Sequence, residues 1–325
     1  LIPPRETANA NDAMLLSERA SDPSLPAIPA SVPAGAADFP MLRVDKRNSG
    51  RVAAVPPLPY VYAWPPGSQA GVAGQSYVSA AIVSGQSVIA ASADGHLYAF
   101  DRDSGSQRWR YFLGEPVRVA PMAEGGSIYA ISTSGRLTAL EDQGQGAGVR
   151  YQRDFNMEAH GGILAASNRI VFTGRQSDSE HLWILDKANG NILENVSFGG
   201  APMQMPAAGG QLVYVGSDVV RAIDIFSGDI VWQVGLGATV TAPPLYLWPG
   251  PNTIAELYVA DEQGRVTALD ANTGATLWTA TINGIATSLA GNETTVFASG
   301  SGILRALARQ ERAEVQVIWQ AGLPG

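Results

Sequence analysis

Short apolar runs alternate with short polar turns along most of the chain, and this alternation predicts β-strands. Residues 257–280 show one complete unit, with an apolar run at 257–259, a turn at Gln263 and Gly264, and an alternating strand around Val266. Strands of about four to eight residues separated by Gly, Asn, Asp and Ser are typical of β-hairpins. No segment keeps an apolar period of 3.6 residues, which disfavours helical repeats.

A phrase with Asp, Gly and Trp at a spacing of four residues recurs along the chain and joins one predicted strand to the next. It returns roughly every 40 residues, which is the length of a four-stranded propeller blade. Its copies are Asp101, Gly105 and Trp109; Asp224, Gly228 and Trp232; Asp270, Gly274 and Trp278; and Asp186 and Gly190, which are followed by Glu194 in place of Trp. A fixed repeat indicates one structural unit stacked many times.

Each residue of the phrase has a structural explanation that we prefer to a functional one. The Asp side chain accepts backbone N–H bonds within a turn, and the Gly adopts a positive φ angle there. A Trp that returns at one offset is predicted to pack between adjacent blades, where it buries a large area. A stacking surface for sugars or bases is the alternative interpretation of the Trp.

The copies AFDRDSGSQRW, AIDIFSGDIVW and ALDANTGATLW resemble the repeat of the pyrroloquinoline-quinone-type (PQQ-like) propellers, and the resemblance covers about residues 78–320. It implies a single all-β propeller of four-stranded antiparallel blades. The family contains quinoprotein dehydrogenases and also propellers that bind no cofactor. The chain is more similar to the second group, which includes the periplasmic propeller lipoprotein of the outer-membrane barrel-assembly machinery.

The first 40 residues differ from the rest because they are rich in Ala, Pro and Ser. Such a segment buries too little apolar surface to fold alone, so we predict an extended tail or linker at 1–40 and a propeller at 41–325. Six repeats are recognisable from residue 78 onward, and residues 41–77 resemble a degraded seventh copy. Seven blades are therefore favoured, and six are the alternative.

Composition narrows the possible environments and partners. The formal net charge of -8 and the pI of about 4.9 disfavour binding to nucleic acid. No run of 18 apolar residues is present, so no membrane span is expected, and the absence of Cys excludes disulfides and thiolate chemistry. By resemblance, we expect a periplasmic or otherwise exported protein whose leader has been removed.

The sequence offers little that is typical of catalysis. The three histidines, His96, His160 and His181, do not share metal-ligand spacing, and no P-loop or G-x-S-x-G motif occurs in the right context. Glu158 and His160 are a candidate acid–base pair, but residues in alternation along a strand usually face opposite or merely neighbouring directions, which disfavours this role. We therefore expect no enzyme, no cofactor and no metal site. The resemblance to the barrel-assembly propellers implies a non-catalytic scaffold for protein subunits of a bacterial envelope assembly. A quinone- or calcium-dependent dehydrogenase and a carbohydrate-binding propeller are the alternatives.

Two long repeats supply the candidate partner-binding residues. The segment 245–256 carries Tyr246, Trp248 and Pro249, and the polar segment 173–181 carries Arg175. An exposed aromatic loop is typical of a protein interface, because aromatic side chains anchor such interfaces. The alternative is that Trp248 folds back over its blade or fills the channel.

Overall fold

The computed structural model describes residues 80–199, 203–248, 253–282, 284–309 and 317–322. Over these ranges the chain is all-β and forms six antiparallel sheets, each made of four strands that are consecutive in sequence. The first three blades comprise β1 (Ile82–Ser84), β2 (Ser87–Ala91), β3 (His96–Asp101), β4 (Gln107–Phe112), β5 (Met122–Glu124), β6 (Ser127–Ile131), β7 (Arg136–Asp142), β8 (Ala147–Asp154), β9 (Glu158–Ala166), β10 (Arg169–Gln176), β11 (Ser179–Asp186) and β12 (Ile192–Phe198).

The next three blades repeat the same order of strands. They comprise β13 (Ala207–Gly209), β14 (Leu212–Gly216), β15 (Val219–Asp224), β16 (Ile230–Gly235), β17 (Leu245–Leu247), β18 (Glu256–Ala260), β19 (Arg265–Asp270), β20 (Thr276–Thr281), β21 (Ser288–Gly291), β22 (Thr295–Gly300), β23 (Ile303–Ala308) and β24 (Val317–Gly322). Among the described residues, none forms a helix long and apolar enough to cross a lipid bilayer.

Burial changes across the blades. The second and third strands are the most buried in most blades, as β2 and β3 are in the first, whereas the fourth strand alternates or is exposed, as in β24. First strands of successive blades lie next to one another, as β1 lies beside β5 and β17 beside β21. This arrangement is a propeller, and the predicted fold class is confirmed.

The described residues account for six blades. The predicted seventh blade at 41–77 and the predicted tail at 1–40 both lie outside the described residues. Within the described part, the β1–β4 and β21–β24 sheets are each complete with four strands of their own.

The repeated Trp and Gly meet across the junctions between blades. The indole N–H of Trp232 donates to the carbonyl oxygen of Ala271 in the next blade at 2.9 Å, and the ring lies against Gly274. Trp109 likewise donates to Asp142 of the following blade at 2.9 Å. Each buried ring thus ties one blade to the turn of the next, which fixes the spacing of the blades.

The turns separate onto two faces of the ring because strands alternate in direction. Turns between the first and second and between the third and fourth strands emerge on one face, which we call the Asp-turn face because it carries Asp101, Asp186, Asp224 and Asp270. Turns between the second and third strands share the other face with the connections between blades. We call this the connection face, and backbone bonds such as Leu113 N–H to Gly95 O, at 2.8 Å, join its segments.

Candidate functional site

An open pocket of about 460 Å³ lies on the connection face, where the second blade meets the third. We call it the junction pocket. Three segments surround it: the β6–β7 turn, the β8–β9 connection and the β10–β11 turn. Its lining residues are Thr133, Ser134, Asn156, Met157, Glu158, Arg175 and Ser177. Hydroxyl, amide, carboxylate and guanidinium groups therefore face one volume, with a single apolar side chain among them.

The buried Met157 forms the apolar base of the junction pocket, and two glycines make room for it. A Cβ atom on Gly135 would lie 2.6 Å from Cγ of Met157, and one on Gly174 would lie 2.7 Å from its sulfur. The Met157 N–H donates to the carbonyl oxygen of Ser134 at 3.2 Å. The connection between the blades is thus anchored by both backbone bonding and close packing.

Backbone strain is concentrated at this pocket. Among the described residues, four that are not glycine have positive φ angles, and two of them, Asn156 at 48° and Ser177 at 55°, line the pocket. Such conformations cost roughly 1–3 kcal/mol each, and they cluster at ligand-binding and active sites in proteins.

A buried carboxylate organises the charged wall of the pocket. Glu180 has only 1% of its side chain exposed, and its two oxygens are both engaged. Nε of Arg175 donates to Oε1 at 2.9 Å, and Nε2 of His160 lies 2.7 Å from Oε2. Burial of this carboxylate is tolerated because both of its oxygens have partners, and loss of the Arg175 charge would leave it poorly compensated.

A β-bulge brings His160 to this carboxylate. Along β9 and β10 the pairing shifts from Ile163 opposite Phe172 to His160 opposite Thr173, so that Gly161 and Gly162 are unpaired. Both glycines have positive φ angles, 83° and 115°. A Cβ on Gly161 would lie 2.1 Å from the Thr173 hydroxyl, which explains why the bulge requires glycine.

Arg175 stands between two carboxylates in the sheet. It is directly opposite Glu158 on one neighbouring strand and directly opposite Glu180 on the other. Directly opposed residues project from the same face of a sheet, so all three side chains share one side. The guanidinium pairs with Glu180, and among the described residues Glu158 has no ion-pair partner.

Hydroxyl groups on the neighbouring β6–β7 turn hold a further carboxylate. The Ser134 and Ser132 hydroxyls donate to Glu115. These bonds, of which the one from Ser134 has the larger effect, lower the pKa of Glu115 below its usual range although burial raises it. In the part of the chain that the structure describes, no group of three or more acidic or His side chains is arranged to hold a metal ion.

The four residues predicted to bind a partner do not form one site. Arg175 lies at the junction pocket, whereas Trp248 follows β17 on the Asp-turn face and is 48% exposed. Tyr246 is buried, with its ring 5.6 Å from that of Tyr214 and against the backbone of Gly209, so it serves the packing of two blades. Pro249 lies outside the described residues.

The sequence pattern did not identify Glu180, although a signal for it was present. A two-residue turn at 177–178 pairs Arg175 with Glu180 across the β10–β11 hairpin, and RQSDSE therefore reads as an opposed charge pair. His160 bonds Glu180 rather than Glu158, its neighbour in sequence. Met157, Asn156 and Ser177 carried no signal, because their roles depend on contacts between blades.

Solved structures with the same fold include proteins of different functions. The crystal structure of BamB from Moraxella catarrhalis matches with a TM-score of 0.60 and 18% identity, covering 74% of each chain. The quinohemoprotein alcohol dehydrogenase from Comamonas testosteroni matches with a TM-score of 0.63 and 12% identity, covering 86% of this chain and 60% of that one. Identities this low show a shared fold alone.

A curated relative matches over a shorter stretch. The serine/threonine-protein kinase AfsK of Streptomyces griseus is 37% identical over 89 residues, which are 27% of this chain and 11% of the kinase. The family described as outer membrane protein assembly factor BamB matches at residues 60–196 and 194–324. These two segments cover nearly all of the repeat region, and the chain therefore belongs to the BamB family of PQQ-like propellers.

Proposed function

We propose that this protein is a non-catalytic scaffold that binds other protein subunits of a bacterial cell-envelope complex, and that the junction pocket is its docking site. The observation that carries the proposal is Arg175, which a buried carboxylate orients at an open pocket. Its Nη1 and Nη2 atoms form no hydrogen bond with the described part of the chain. Membership of a family named for outer-membrane protein assembly supports a periplasmic location.

The bonding of Glu180 favours a positioning role over proton transfer. One oxygen accepts from Arg175 and the other contacts His160, and the carboxylate is buried. A general base must reach the proton it abstracts from a substrate, and neither oxygen is open to the pocket. The contacts of Glu180 with Arg175 and His160 instead fix the position of the Arg175 guanidinium, which is what a docking surface on a rigid ring requires.

A photo-cross-linking experiment in the periplasm of the native host tests this proposal. Benzoylphenylalanine is placed at Asp178, which is exposed beside the junction pocket, and at Asp103, which is exposed on the Asp-turn face. We expect irradiation to give a defined adduct from position 178 with a component of the outer-membrane protein assembly machinery, and no such adduct from position 103.

Two further measurements decide between docking sites and between functions. The same cross-linker at Trp248 tests whether the Asp-turn face binds the partner instead. The purified protein is also assayed for dye reduction with alcohols and sugars in the presence of added quinone and calcium. Absence of an adduct at 178, together with quinone-dependent dye reduction, would refute the scaffold and favour a dehydrogenase.

A further inference from the structure

The junction pocket contains one positive and one negative side chain that do not neutralise each other. Arg175 and Glu158 are directly opposed on β10 and β9, yet the structure has no ion pair between them. Nε of Arg175 is instead bonded, at 2.9 Å, to Glu180 on the other neighbouring strand, β11. Both charged groups line the pocket, and Glu158 is exposed.

The remaining bonding capacity of Arg175 has a definite geometry. A guanidinium presents its five N–H groups as a planar fork, and bonding at Nε leaves the outer edge formed by Nη1 and Nη2. That edge matches the two oxygens of a carboxylate, which bind it through two parallel hydrogen bonds. Because buried Glu180 immobilises the guanidinium, less rotamer entropy is lost when a ligand binds.

Glu158, on the strand next to Arg175, makes the neighbouring part of the pocket favour a positively charged group. A carboxylate ligand alone would approach Arg175 and also meet repulsion from Glu158 on the adjacent strand. A ligand with only a positive charge would be attracted by Glu158 and repelled by Arg175. A ligand that carries both charges, spaced to match the two strands, satisfies both groups at once. Strands of a sheet lie about 4.8 Å apart, and a peptide readily presents two side chains at that spacing.

Building on the proposed docking function, the geometry points to a peptide segment of the partner that presents an acidic side chain to Arg175 and a basic side chain to Glu158. Met157 supplies an apolar surface for the intervening backbone and side-chain carbons, and Thr133 and Ser134 also line the pocket. The recognised partner therefore carries both charges in one short segment, and a uniformly acidic or basic segment is rejected.

The experiment measures how the yield of the adduct from position 178 depends on each charge, in the full chain. Glu158→Gln removes the negative charge from an exposed side chain. Arg175→Lys keeps a positive charge beside Glu180 but removes the fork, so that the buried carboxylate stays paired. Asp154→Asn is the control for loss of an exposed negative charge outside the pocket. Asp154 lies at the end of β8, accepts a hydrogen bond from Nε of Arg136 at 2.7 Å and does not line the pocket.

We expect the yield to fall by about fivefold or more in Glu158→Gln and in Arg175→Lys, and to change by less than about twofold in Asp154→Asn. Circular dichroism shows whether each variant is folded. If the adduct forms with unchanged yield in both variants, or if only one variant lowers it, the two-charge recognition is wrong and the docking function stands. If the protein that keeps both charges gives no adduct from position 178, docking at the junction pocket itself fails.

Discussion

The packing of Trp232 against Gly274 allows a quantitative test of how the blades are held together. Gly274 has a φ angle of +75°, and a Cβ atom added there would lie 2.7 Å from Cε3 of Trp232. Gly302 has nearly the same φ angle, +73°, but a Cβ there would meet nothing within 4 Å. Gly302→Ala is therefore a control that matches the backbone conformation and omits the contact.

Both substitutions incur the cost of an alanine in the left-handed region, roughly 1–2 kcal/mol. Only Gly274→Ala also overpacks a buried ring, which typically costs about 1–3 kcal/mol more. We therefore expect Gly274→Ala to lower the free energy of unfolding by about 1–3 kcal/mol more than Gly302→Ala does. Urea unfolding followed by far-UV circular dichroism, with equal m-values, gives this difference.

A double-mutant cycle identifies the contact responsible. Trp232→Phe removes the six-membered ring of the indole that lies against Gly274, so Gly274→Ala should cost less in that background than in the natural one. Equal losses of stability in Gly274→Ala and Gly302→Ala would refute the reasoning. So would a cost of Gly274→Ala that Trp232→Phe leaves unchanged, because the ring would then play no part in the strain.

Three further outcomes follow from the structure. Tyr246→Ala should lower the free energy of unfolding by about 3–5 kcal/mol, because the ring of Tyr246 is buried. Trp248→Ala should change it by less than about 0.5 kcal/mol, because Trp248 is exposed, and thermal unfolding of both variants measures the difference. Glu180→Gln should lower the melting temperature, since it removes the charge that Arg175 and His160 surround; unchanged melting would contradict that pairing. Asp142→Asn should lower the melting temperature at pH 6, and this loss should shrink as the pH falls below 3.8; a loss that does not shrink would refute its assignment to the ionised carboxylate.

The sign of the Asp142 prediction follows from its environment. Burial alone would raise its pKa, but bonds from the Ser87 hydroxyl, the Gly144 N–H and the Trp109 indole lower it below the ordinary value of 3.8. A carboxyl whose pKa is depressed in the folded state adds stability above its unfolded pKa. That stability is lost as the pH falls through the folded pKa, where the protonated wild type no longer differs from the amide.

The sequence predicted those features that each repeat encodes locally. The turn at Asp270 follows from the phrase, and in the structure its Oδ1 accepts the N–H groups of Asn272 and Thr273 at 2.8 and 3.1 Å. Strands, turns and the period of the blades therefore need only a few neighbouring residues. The sequence of one repeat does not predict which residue of the next blade packs against an aromatic ring.

Tyr151 shows what the repeat pattern concealed. The second blade lacks the phrase, but Tyr151 on β8 packs where Trp lies in other blades, and a Cβ on Gly190 of the next blade would be 2.4 Å from its ring. Its hydroxyl donates to the carbonyl oxygen of Lys187 at 3.1 Å. The repeated Gly of one blade is thus matched to the aromatic residue of the preceding blade, and a comparison within one copy misses that relation.

The two faces of the ring differ in how their charged side chains are bonded. On the Asp-turn face the repeated carboxylates bond the N–H groups of their own turns; Oδ1 of Asp224, for example, accepts from Phe226 and Ser227. A carboxylate used in this way stabilises its turn and has less capacity for a partner.

On the connection face, by contrast, Arg175 is oriented by a buried group and retains its outer nitrogens. Nε of Arg175 is bonded to the buried Glu180, and in the structure its guanidinium forms no ion pair with the exposed Glu158. In the docking mode that we propose, both charges are therefore available to a ligand that carries their complements. Because the bond to Glu180 holds the guanidinium before a ligand arrives, less conformational entropy is lost when the proposed ligand binds.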